Sequence, residues 1–189
     1  EAEVDDFNFD ARQEVRLAND QLVCLLAPTA GGRMYEMDVR SIGHNLLATL
    51  TRRPEAYHRK VLAGADSSGD SVSSIHDRVV FKQEGLDQKL QYDRHMRKSL
   101  IDHFLDPAAT MESVSSGEAA ELGDFVDGVY ETKLRRNPDR IQTLLARRGD
   151  VAGRQVTVTK GVTLQAGEPG LEVTYLLEDL PTDEALHFA

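Results

Sequence analysis

Two carboxylates about 5 to 9.5 Å apart can split a glycosidic bond between them, one as acid and one as base or nucleophile. With 32 acidic residues in 189, the chain offers too many pairs for spacing to single one out. Asp102, Asp106, Asp124 and Asp127 cluster in sequence, and solvated loop carboxylates are the expectation for them. The six histidines, His44, His58, His76, His95, His103 and His187, occur singly. None shows the HxxxH or HExxH spacing that sets two imidazoles on one helical face, so no metal site is predicted. His76-Asp77 and Asp102-His103 are neighbours, and neighbours on a strand face opposite ways, which argues against an Asp-oriented His. Gly31-Gly32 is not followed by the Lys-Ser/Thr of a phosphate loop and reads as a turn. Cys24 lies in an apolar run without a basic neighbour and reads as a buried, inert thiol. No cofactor is implied.

Charge narrows the partners. The chain carries 22 Lys+Arg against 32 Asp+Glu, a net charge of -10. Such a balance disfavours nucleic acid and anionic membrane surfaces. No apolar run approaches the length of a membrane span, and no signal peptide is evident. One cysteine excludes an internal disulfide and is compatible with a reducing, cytoplasmic setting. The start at Glu1 and the apolar end Leu186-His187-Phe188-Ala189 suggest a piece of a longer protein.

Strands are the elements available to position any site. Val156, Val158, Val162 and Leu164 alternate with polar residues, only Lys160 breaking the apolar row. After the turn chemistry of Gly167-Glu168-Pro169-Gly170, Leu171, Val173, Tyr175 and Leu177 alternate in turn, which predicts a hairpin. Val129 to Leu134 and Ile141 to Ala146 predict a second around Asn137-Pro138-Asp139, and Glu14 to Leu17 with Leu22 to Ala27 a third around Asn19-Asp20. A strand over Arg33 to Val39 is expected to point Met34 one way and Tyr35, Met37 and Val39 the other. Short strands with tight turns predict an all-β antiparallel β-sandwich with short helices in its loops.

The middle is less regular. Pro54 to Lys60 predicts one or two helical turns, and Gln83 to Leu90 a short helix. Ser99 to Leu105 is taken as a strand, and Ala65 to Ser74 and Ala108 to Gly123 as surface loops. Sugar-binding sandwiches rely on exposed aromatic faces. The chain has no Trp, and Tyr57 and Tyr92 are the aromatics expected at the surface.

Several stretches carry a resemblance. They are Gly31-Gly32-Arg33-Met34-Tyr35-Glu36-Met37-Asp38-Val39-Arg40, Gly43-His44-Asn45-Leu46-Leu47, Thr51-Arg52-Arg53-Pro54-Glu55-Ala56-Tyr57-His58 and Ser74-Ile75-His76-Asp77. Lys82-Gln83-Glu84-Gly85-Leu86, Tyr92-Asp93-Arg94, Ser99-Leu100-Ile101-Asp102-His103-Phe104-Leu105 and Gly123-Asp124-Phe125 follow in the same order. As a set they resemble the C-terminal β-sandwich domain of glycoside hydrolase family 57, of the α-amylase and 4-α-glucanotransferase type. The resemblance implies a galactose mutarotase-like supersandwich that is longer than this chain. It also implies catalytic carboxylates on a preceding N-terminal (β/α)-barrel, so no catalytic residue is carried over. Aldose epimerases of similar fold use a His and a Glu with an Asn-His motif, whereas here the adjacent pair is His44-Asn45, in reverse order.

The expectation is therefore one β-sandwich domain over 1-189 with an irregular insert at about 51-98. It would be a noncatalytic accessory domain that packs on a catalytic barrel of the same chain and shapes its cleft, the parent being the enzyme. Tyr57, His58, His76, Asp77, Arg78 and Tyr92 are the candidate contacts to α-glucan or barrel, with loop stabilisation as the alternative for each. Independent α-glucan binding and an epimerase-type enzyme are the rival readings. The second would need a His and a carboxylate facing one another across a groove.

Overall fold

The computed structural model describes residues 1–66, 85–183 and 185–189. It is an antiparallel β-sandwich. Strands β1 (Ala2–Asp5), β2 (Glu14–Ala18), β3 (Leu22–Ala27), β4 (Arg33–Val39) and β5 (His44–Asn45) form one sheet in that order. Between β5 and the second sheet come α1 (His58–Asp66), a 3-10 turn (Asp87–Lys89), β6 (Phe104–Leu105) and α2 (Met111–Ser116). Strands β7 (Glu131–Arg136), β8 (Arg140–Val151), β9 (Arg154–Gln165) and β10 (Leu171–Glu178) make the second sheet, ordered β10-β9-β8-β7. The last strand, β11 (His187–Phe188), pairs with β6 alone.

Alternation in β9 works as the sequence predicts. Val156, Val158, Val162 and Leu164 are buried against Val15, Leu17, Leu22, Cys24 and Leu26 of the facing sheet. Lys160 keeps its place in this inward row, so the break in the apolar pattern is a cation inside the core. The β9–β10 hairpin pairs Leu171 with Leu164 through Glu178 with Thr157. At the β2–β3 turn, the Asn19 side-chain oxygen accepts from the N–H groups of Gln21 and Leu22, the local bonding that makes Asn a turn residue. β7 and β8 extend to Arg136 and from Arg140, so their connection is shorter than the sequence suggests.

Four expectations are corrected. β8 continues through Arg147 and Asp150 to Val151, where Ala152 and Gly153 turn the chain with φ of 52° and 83°. Positive φ at both residues matches the right-handed strand twist in a two-residue hairpin. In β4, the pairing steps from Leu25↔Glu36 to Leu26↔Met34. Tyr35 is the extra residue of this bulge, which brings Met34 onto the same inner face as Met37 and Val39. Ser99 to Leu105 is a strand only at Phe104–Leu105, and Leu100 adopts φ 59°. The helix expected from Pro54 begins at His58, whose Nδ1 accepts the Glu55 N–H.

In the middle, the helix expected over Gln83 to Leu90 is the single 3-10 turn Asp87–Lys89, and residues 67–84 lie outside those described. α2 interrupts the loop expected over Ala108 to Gly123. Thr110 and Ser113 cap its start reciprocally, and Gly117 ends it at φ 80°. Among the described residues, no helix is long and apolar enough to cross a membrane.

Candidate functional site

The site is organised by a buried ionic knot. Lys160 Nζ lies 2.9 Å from Asp102 Oδ2, with neither side chain reached by solvent. Its other donors go to the backbone oxygens of Gly31 at 3.0 Å and Leu100 at 2.6 Å, which satisfies all three ammonium hydrogens. The hydroxyls of Tyr130 and Tyr175 both donate to Asp102, and the ammonium lies 4.6 Å from the Tyr130 ring centroid. Burial pulls the Lys160 ammonium below the usual lysine range, and Asp102 opposes that pull. Burial beside Asp102 pushes both tyrosines well above theirs.

The knot fixes the segment from Leu100 to His103. Strand pairing fails there because Lys160 captures the Leu100 carbonyl and the Asp102 side chain turns inward. Met34 and Ser99 hold the upstream end with reciprocal backbone bonds. Downstream, β6 is covered by Phe104 packed on Phe125 and Phe188, with ring centroids at 5.0 and 5.1 Å. Gly31 is obligatory here. Its φ is +75°, and a Cβ would meet the Val126 carbonyl oxygen at 2.0 Å.

Outside this anchored segment opens a cleft of about 580 Å³. Leu100, Ile101, Leu105 and Val114 supply its apolar lining. Four cations, Arg52, Arg94, Arg97 and Lys98, and two carboxylates, Asp93 and Glu121, line it as well. Among the lining side chains, arginine and lysine thus outnumber carboxylates by two in a chain whose net is -10.

Asp93 organises one wall. It accepts Arg52 Nε at 2.8 Å and Nη2 at 2.5 Å, and Arg97 Nε at 2.9 Å. The two guanidiniums, Arg52 first, hold its carboxyl well below the usual range. Arg52 also caps the Ser115 carbonyl of α2, which ties the wall to the helix. On the other side, His103 Nδ1 is 2.7 Å from Glu121 Oε2, and the second oxygen of Glu121 accepts the N–H groups of Phe104 and Gly123. His103 and Glu121 therefore satisfy each other, where epimerase chemistry needs a His and a carboxylate on two sides of a sugar. His44 and Asn45 form β5, and Asn45 spends its side-chain oxygen on Met37 and Leu47 N–H groups.

Three of the predicted contact residues come together. The His58 ring lies between Tyr57, at 4.3 Å edge-on, and Tyr92, at 5.6 Å. The Tyr92 hydroxyl is 3.1 Å from His58 Nδ1. Tyr57 is 63% exposed. His76, Asp77 and Arg78 lie outside the described residues. The knot and the cleft walls went unrecognised in the sequence. The cationic run Arg94-His95-Met96-Arg97-Lys98 in an acidic chain, and a lysine inside a valine row, were the available signals. Asp102, expected in a solvated loop, is fully buried because Lys160 and two tyrosines receive it. Among the described residues, no group of three or more His, Cys, Asp or Glu is placed to hold a metal.

Two packed antiparallel sheets with a polar, cationic cleft beside them define a β-sandwich module. The chain belongs to the family described as alpha-amylase/4-alpha-glucanotransferase, C-terminal, which it matches over residues 6–189. It is 35% identical over 173 residues to a 4-alpha-glucanotransferase of Thermococcus kodakarensis, covering 91% of this chain and 26% of that protein. To an alpha-amylase of Pyrococcus abyssi it is 32% identical over 183 residues, 96% of this chain and 27% of the relative. The crystal structure of 4-alpha-glucanotransferase from Thermococcus litoralis superposes with a TM-score of 0.71 at 29% identity. That match covers 94% of this chain and 26% of the other. The chain therefore spans about a quarter of the length of the curated relatives it matches.

Proposed function

We propose that the chain is a noncatalytic accessory domain of an enzyme acting on α-glucan, one that packs on an N-terminal catalytic barrel of the same polypeptide and shapes its cleft. The observation that carries this reading is coverage: the chain aligns along nearly its whole length with about a quarter of amylases and glucanotransferases. An accessory module contributes by fixing substrate or lids in place, which lowers the barrier without adding a reacting group. The free, buried Cys24 supports a reducing cytoplasm as its setting. Separate expression of the preceding part of the polypeptide and of residues 1–189 tests the reading. Recovery of glucan-cleaving or transferring activity on mixing supports it. An N-terminal part fully active alone, with no complex formed, overturns it.

A second reading, independent α-glucan binding, is favoured by the exposed Tyr57 ring braced by His58 and Tyr92. A rigid aromatic face suits stacking on a pyranose ring. Retardation of the chain in an amylose-containing native gel, lost in Tyr57→Ala, supports this role; equal mobility with and without amylose sinks it.

A further inference from the structure

The cleft beside the 100–103 segment combines features that a neutral sugar does not require. It is concave, of about 580 Å³, within the range of small-molecule sites. Part of its lining is apolar, from Leu100, Ile101 and Val114, with the paired His103 and Glu121 at the same surface. Its arginine and lysine side chains outnumber its carboxylate side chains by two inside a strongly acidic chain. Asp93 is shared between two guanidiniums, so one carboxylate answers two cations. Arg94 lines the cleft, is exposed and has no ion-pair partner among the described residues. A pocket with uncompensated positive charge focuses field and raises the local concentration of anions. Guanidiniums match phosphate oxygens in geometry and bind them through charge-assisted hydrogen bonds.

We propose that this cleft binds a phosphorylated sugar, with the phosphate at the Arg94 and Arg97 side and the sugar over the apolar lining near Glu121. The anionic handle stands on the geometry of this chain. The sugar part rests on the accessory-domain reading above.

Calorimetric titration of the full polypeptide carrying these residues tests the proposal, with glucose 6-phosphate, glucose, inorganic phosphate and maltotriose as probes. Glucose 6-phosphate is expected to bind at least about tenfold more tightly than glucose or phosphate alone. Its affinity should fall as salt rises, as screening of partly exposed charges requires. Arg94→Glu should weaken it by about tenfold or more, while Lys133→Glu on β7, outside the cleft and equal in charge change, should leave it unaltered. Equal binding of phosphate and glucose 6-phosphate overturns the sugar assignment. Preferential binding of maltotriose overturns the anionic handle while leaving the accessory-domain reading intact. Failure of every probe, or equal effects of the two charge reversals, overturns the proposal outright. Failure of the mixing experiment alone bears on the accessory reading and not on the cleft.

Discussion

Lys160 and Asp102 meet at 2.9 Å between the two sheets, and between them they hold the backbone oxygens of Gly31 and Leu100 and the hydroxyls of two tyrosines. Two strands, β9 and β10, and three connecting segments are therefore tied at a single point inside the core. A buried pair adds little net stability over a well-packed apolar substitute, but removing one partner strands the other charge. Its more evident role is positional, since the Leu100–His103 segment has no strand partner across most of its length.

Lys160→Met is expected to destabilise the fold by about 3–5 kcal/mol, because Asp102 then stays buried without its counter-ion. Urea unfolding measures the loss. The double variant Lys160→Met/Asp102→Leu should recover part of it. A single variant costing under about 1 kcal/mol would show that water already reaches the knot.

Acid should loosen the Arg52–Asp93–Arg97 wall. The folded carboxyl is held below its ordinary value of 3.8 by Arg52 first and Arg97 with it. A depressed folded value contributes stability that is complete above the ordinary value and disappears as pH falls through the folded one. Protection factors from amide exchange at residues 93–97, which allow for the slower intrinsic exchange in acid, should fall below about pH 4. Asp93→Asn should show low protection at every pH.

Cys24 should be silent to thiol reagents in the native protein. Its side chain is fully buried, and desolvation pushes the thiol up to about 12, leaving almost no thiolate at neutral pH. Ellman's reagent should register no thiol before denaturation and one per chain afterwards. Rapid native reaction would mean that the sandwich opens readily.

Gly31→Ala should cost more than Gly43→Ala. Both glycines have positive φ, 75° and 57°, but a Cβ at Gly31 meets the Val126 oxygen at 2.0 Å, whereas nothing lies within 4 Å at Gly43. Backbone strain alone is about 1–3 kcal/mol for such a position. Thermal melts of the pair separate strain from collision, and equal losses would dismiss the collision.

The hairpins were legible because alternation and turn residues are local. Val156 to Leu164 declares its buried face by period two, and Asn19 makes its own turn. The charged end of β8, from Arg147 to Asp150, hides its strand character because its Gly149 packs against Asp124 and Phe125 rather than carrying an apolar side chain. The β4 bulge shifts the period at Tyr35, and no local signal announces an extra residue. Lys160 was visible as an anomaly, but its partners at 31, 100, 102, 130 and 175 are supplied by tertiary structure. The aromatic trio was legible as residues, since Tyr57, His58 and Tyr92 were all named as contacts, but their meeting was not, because it depends on where α1 begins.

The pairing of β11 with β6 ties the chain across a long separation in sequence. Phe188 opposes Phe104, and Ala189 exchanges backbone bonds with His103 and lines the cleft. Joining residues 104 and 188 closes a long loop, which is entropically slow. The first sheet is complete in sequence by residue 45, so a nascent chain can pair its early strands long before the cleft has its final wall. A chain cut before residue 187 would keep its early sheet while the cleft lost the side that Ala189 supplies.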